Sequence, residues 1–111
     1  MNASPQREPE VNKLFRLARK HQASDLYLHV GLAPLIRLKG VTREADMRPL
    51  SHEDLEHLLL PILSAEQQQR LGQEEEVAFT YRFERDNLFR VSVSKKGGQF
   101  MLSAQWLEVA S

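Results

Sequence analysis

Arg37, Arg82 and Arg90 each alternate with apolar neighbours in runs that read as strands, which puts them on polar strand faces able to line one side of a sheet. A guanidinium is a planar fork of donors, so arginines held on a sheet suit bidentate capture of carboxylate or phosphate across an interface. Asp25 stands at the head of another strand. A carboxylate there bonds to nearby backbone donors or to an arginine, with structural capping the simpler role.

Other chemistries do not assemble. His52 and His57 flank a zinc-protease-like HEDLEH run, but residues five apart diverge by roughly 140° around a helix, so no metal site is expected. Ser92, Ser94 and Ser103 alternate with apolar residues on strands, away from any strained turn, and read as sheet-surface hydroxyls rather than nucleophiles. Gly97-Gly98, the one glycine pair, is followed by Gln99 and Phe100 and reads as a hairpin turn; no G-x-x-x-x-G-K-[ST] phosphate loop occurs anywhere in the chain. The absence of cysteine removes disulfide, thiolate-metal and thiol-nucleophile chemistry.

The elements that must hold these residues follow from periodicity. Residues 1–9 are polar and aperiodic and are expected to form a disordered leader. Val11, Leu14, Phe15 and Ala18 then recur at helical spacing, with Arg19, Lys20 and His21 suiting the helix end near Gln22. Leu26, Leu28 and Val30 share one strand face, and Asp25, Tyr27 and His29 the other. After a turn bracketed by Gly31 and Pro34, Ile36 and Leu38 continue the apolar face, with Arg37 and Lys39 on the polar one. Residues 41–47 are a weaker extended candidate. Ser51 with Asp54 caps a second helix that Pro61 kinks or stops, and Ser64 with Gln67 caps a third ending near Leu71, with Gly72 as its left-handed terminator. Three alternating runs follow: Val77 to Phe83, Phe89 to Val93 after an Arg85-Asp86-Asn87 turn, and Phe100 to Trp106. The sum is an α+β domain, an antiparallel sheet of about five to six strands with two to three helices.

At 111 residues, 41% hydrophobic and 27% charged, the chain reads as one globular domain. Fifteen basic against fifteen acidic residues give no global pull toward nucleic acid, and no apolar run is long enough to span a bilayer. Charge is nevertheless segregated: Met1 to Gln22 holds five basic and two acidic residues, Ser51 to Glu76 seven acidic and one basic. Solvated helix faces account for this most simply; a head-to-tail partner is the alternative.

The order Ala23-Ser24-Asp25-Leu26-Tyr27-Leu28, then Gly31, Pro34, Ile36, Arg37 and Gly40, resembles the opening of the N-terminal domain of the type IV pilus retraction ATPases, the twitching-motility branch of the type II/IV secretion motors. Pro49-Leu50 with Glu53, Gln67, Glu76 with Phe79, and Phe89-Arg90-Val91 continue the pattern to about Val93. The resemblance implies a PAS-like fold over 10–109, with the ATP-hydrolysing RecA-like motor domain absent from this chain and ATP and magnesium belonging only to that domain. Further implications are a hexameric assembly of the full-length protein, contact with the motor domain of the same or a neighbouring subunit, and a cytoplasmic location at an inner-membrane pilus platform. Family arginines around the R-F-R-V segment face the nucleotide site between domains. Here Arg90 matches the second of them, Leu88 stands at the first, and Lys96 is the basic residue after the strand. Tyr27 replaces the usual histidine, Gln22 the usual glycine, and Ser103 or Ala104 a later arginine. A stand-alone module that binds protein, or senses a small ligand in a pocket of Trp106, Phe100 and Tyr81, is the competing reading. No catalytic constellation supports an enzyme in this chain alone.

Overall fold

The computed structural model describes residues 8–84 and 87–107. Residues 1–7 of the expected leader, Arg85 and Asp86 of the expected turn, and residues 108 and 109 at the expected domain boundary lie outside them.

The first helix, α1 (Asn12–Lys20), buries Asn12, Leu14, Phe15 and Ala18 along one stripe. Its C-terminus closes through Gln22, whose φ of 59° is left-handed, with Gln22 N–H donating to the Arg19 carbonyl and Ala23 N–H to that of Ala18. The chain then runs through β1 (Asp25–His29), β2 (Leu35–Leu38) and β3 (Val41–Glu44). Lys39 and Gly40, both at positive φ, turn β2 into β3, so Lys39 sits in a tight hairpin and not on the strand face expected for it.

Helix α2 (His52–Leu59) opens with a reciprocal cap: Asp54 N–H donates to the Ser51 hydroxyl, and Ser51 N–H to the Asp54 carboxylate at 2.8 Å. Pro61 stops it. The chain tightens into a 3-10 turn at Leu60–Ile62 before Ser64 and Gln67 cap α3 (Ala65–Gly72) in the same way. Gly72 is the last helical residue rather than the terminator. The left-handed position falls at Glu74 (φ 61°), where Glu74 N–H bonds to Leu71 and Glu75 N–H to Arg70.

Strands β4 (Val77–Phe83), β5 (Asn87–Lys96) and β6 (Gln99–Leu107) complete an antiparallel six-stranded sheet of order β3-β2-β1-β6-β5-β4. Gly97 and Gly98 are the two residues between Lys96 and Gln99, and both have positive φ, as a two-residue hairpin requires. β1 pairs with β6 at the centre of the sheet, Asp25 opposite Gln105, and Trp106 N–H donates to the Ser24 carbonyl where the pair begins.

All three helices pack on one face of the sheet. Leu26, Leu28, Ile36, Val91, Val93, Leu102 and Ala104 meet Val11, Leu14, Phe15, Leu55, Leu59 and Leu71 in a single core. Phe15 is its aromatic centre, with ring centroids 4.6 Å from Phe89, 5.2 Å from Tyr81 and 6.2 Å from Phe83. The only buried polar side chain among the described residues is Asn12. Its Oδ1 accepts from the Tyr81 hydroxyl at 2.6 Å, and its Nδ2 donates to Glu8. No described helix is long and apolar enough to cross a membrane.

Candidate functional site

The face opposite the helices is bare. Period-two alternation sends every second strand residue there, and the register brings those residues into rows. One row reads Thr42, Arg37, Asp25, Gln105, Arg90 and Thr80 across all six strands. The next reads Glu44, Leu35, Tyr27, Ser103, Ser92 and Ala78. These side chains are exposed or half-buried throughout.

The three arginines therefore share one face, as their alternation predicts. Arg82, opposite Leu88, is the diagonal neighbour of Arg90, about 7–8 Å away. Arg37 lies in the Arg90 row three strand spacings away, about 14 Å. Lys96 is on the same face but six residues along β5, about 20 Å from Arg90. The cations are thus spread over the sheet and do not converge on one point. Between them Ser92, Ser103 and Ala78 are short, so the floor of the face is shallow.

Asp25 and Tyr27 form a local cluster beside Arg37. The Tyr27 hydroxyl donates to Asp25 Oδ2 at 3.1 Å and the Ser24 hydroxyl to Asp25 Oδ1 at 2.6 Å, so Asp25 takes hydroxyl donors in place of the backbone donors or arginine expected. The Arg37 guanidinium stands 6.0 Å from the Tyr27 ring centroid. Burial, then the hydrogen bond to the Asp25 carboxylate and its charge, raise the Tyr27 phenol above its ordinary value, with Arg37 opposing. Tyr27 is in consequence a neutral hydroxyl held in a fixed direction.

The aromatic trio expected for a ligand pocket does not line one. The Arg19 guanidinium lies 3.6 Å from the Trp106 ring centroid, Lys95 Nζ 5.0 Å from that of Phe100, and Tyr81 is stacked on Phe15. Each ring is covered by its own neighbour. Arg19 also donates to the Ala23 carbonyl at 3.1 Å, and desolvation lowers its pKa from the ordinary arginine value. Arg19 and Asn12 were both invisible to a search for chemistry in the sequence. The available signal was Tyr81, whose hydroxyl sits on an apolar strand face and must find an acceptor. His52 Nε2 lies 3.6 Å from the Glu56 carboxylate, one helical turn on.

No protein-family model matches the chain. It is 30% identical over 83 residues to the type IV pilus retraction ATPase PilT of Pseudomonas aeruginosa, a stretch that covers 75% of this chain and 24% of that protein. Among solved structures, the pilus retraction motor PilT with bound ADP shares its fold at a TM-score of 0.80 and 24% identity, over 93% of this chain and 30% of that one. The Legionella pneumophila ATPase DotB does so at 0.77 and 19%, over 99% of this chain and 32% of that one. The chain spans about a quarter to a third of the length of these relatives. Its α+β architecture is that of the fold they share. By sequence over three quarters of its length, the chain is a homologue of the N-terminal region of the type IV pilus retraction ATPase PilT, whose fold it shares.

Proposed function

We propose that the domain is a non-catalytic interface module of a pilus-retraction or type II secretion ATPase. In this reading its bare sheet face meets the motor domain of the same or a neighbouring subunit in a hexamer. Nucleotide-driven movement of the motor passes through the sheet toward an inner-membrane pilus platform, on the cytoplasmic side. ATP and magnesium belong to the motor domain; this chain contributes area, charge and stiffness.

The observation that carries the reading is the six-stranded sheet with all its helices on one face and Arg37, Arg82, Arg90 and Lys96 spread over the other. Cations spaced over a shallow floor of serine and alanine suit a broad protein surface that brings several carboxylates. A single small anion would engage only one or two of them.

The test is sedimentation of the domain with a separately expressed RecA-like motor domain from the same cell, titrated with ATP and with ADP. Nucleotide-dependent association is expected, weakened about tenfold or more by Arg90→Ala. Arg90 is exposed, so the same substitution is expected to change folding stability by no more than about 0.5 kcal/mol. A stability loss well above about 2 kcal/mol would remove Arg90 from the interface. Absence of association under every nucleotide condition would overturn the reading in favour of a stand-alone binding module.

A further inference from the structure

Two surfaces on the helix side of the sheet take no part in the bare-face reading. The helices pack over β1, β4, β5 and β6, which leaves the β2–β3 hairpin projecting beyond α1. Between that hairpin and the last turn of α1 lie two cavities of about 340 and 580 Å³, which share His21, Leu38 and Arg43 and so form one groove. Its floor is apolar, from Leu17, Ile36 and Leu38. Val41 and Met47 on its walls are the two most exposed large apolar side chains among the described residues, at 52% and 48%. The inner half carries Glu44 and Asp46 beside Arg43, whereas in the outer half every charged or titratable lining residue is basic: His21, Lys39 and Arg43. Among the described residues neither Lys39 nor Arg43 has an ion-pair partner.

The second surface is the solvent side of α2. Glu53, Glu56, His57 and Leu60 fall at i, i+3, i+4 and i+7 and, with Pro61, surround a shallow cavity of about 280 Å³. Leu60 is 37% exposed. Glu53 has no ion-pair partner among the described residues, and Glu56 has only the half-exposed His52.

The outer half of the groove and the helical stripe are complementary in both charge and polarity. Leu38 and Val41 rimmed by Lys39 and Arg43 are matched, on the same molecule, by an exposed leucine between carboxylates. We propose that the groove receives α2 of a second copy of this chain, Leu60 seating over Leu38 and Val41 and Glu53 and Glu56 meeting Lys39 and Arg43. Because the two surfaces differ, the contact is head-to-tail. It closes a ring if the rotation between copies permits and otherwise extends as a filament. The acidic run from Ser51 to Glu76, which includes Glu53 and Glu56, then has a use beyond solvation. One helical stripe buries little area, so the contact is weak between isolated domains and gains from any assembly that raises their effective concentration. It lies on the opposite side of the sheet from Arg37, Arg82 and Arg90, so it stands or falls apart from the motor-domain interface.

The test is sedimentation velocity of the chain over a concentration series reaching the millimolar range, at low and high salt. Concentration-dependent association that weakens with salt is expected. Arg43→Glu and Glu53→Lys are each expected to lower the association constant about tenfold or more, by placing like charges together. An equimolar mixture of the two variants is expected to restore association: the altered groove of one accepts the altered helix of the other, and the remaining groove and helix are unchanged. A monomer throughout the series would overturn the proposal. So would association that neither variant weakens, or a mixture that stays dissociated while circular dichroism shows both variants folded. Nucleotide-dependent binding of the motor domain is expected to survive Arg43→Glu, which separates this contact from the bare face.

Discussion

Gln22 holds a backbone conformation that costs an L-residue about 1–2 kcal/mol. Glycine removes that cost and gives back about 0.5–1 kcal/mol in chain entropy. Gln22→Gly is therefore expected to stabilise the domain by about 0.5–1 kcal/mol, read as a higher thermal midpoint. A second expectation concerns Tyr81, whose hydroxyl bonds to buried Asn12 and whose pKa burial raises. Tyr81→Phe leaves Asn12 Oδ1 without that donor, and a loss of about 1–3 kcal/mol is expected in denaturant unfolding. At this scale the sequence was legible where the cue was local. Alternation alone assigned Arg37, Arg82 and Arg90 to polar strand faces, and the register puts them on one. It could not find Asn12, because a polar residue at the start of a helix looks solvent-facing until the strand that brings Tyr81 over it is placed.

Among the elements, the helix starts were the most legible, because a cap is a contract between residues three apart. Ser51 with Asp54 and Ser64 with Gln67 both close as reciprocal caps. The Asp54 carboxyl is held below its ordinary value first by the Ser51 backbone N–H, with the Ser51 hydroxyl and the Arg48 charge assisting. A carboxyl depressed in the folded state stabilises above its unfolded pKa of about 3.9 and loses that contribution as pH falls through the folded value. Unfolding followed against pH is therefore expected to show a shallower decline below about pH 4 in Asp54→Asn than in the parent chain. Helix ends were read less well. Gly72 is the residue a left-handed terminator favours, yet α3 includes it as its last residue and the left-handed position falls two residues on, at Glu74. There the Arg70–Glu75 ion pair and the Glu74 carboxylate, which accepts from Gly97 N–H, favour the later turn.

For the whole molecule, the sheet's composition was legible and its order was not. Five strand candidates with consistent apolar faces define what must be buried, and the weaker sixth is the fully exposed β3, but the β1–β6 pairing joins residues some seventy to eighty positions apart and leaves no local mark. The core that results depends heavily on Phe15. Phe15→Ala is expected to cost about 3–5 kcal/mol, a large part of the roughly 5–15 kcal/mol available to a domain, and calorimetry is expected to show a greatly lowered midpoint. That central pairing also sets how the domain carries tension. The head of β1 and the tail of β6 lie side by side, joined by the Trp106 N–H to Ser24 carbonyl bond. A pull applied between them loads the ladder one rung at a time, so the strands peel like a zipper. A shearing load would share the strain among many bonds at once. Mechanical work routed through the polypeptide on either side of the sheet would therefore open it at its centre, and a machine built with this domain has reason to push on its broad faces.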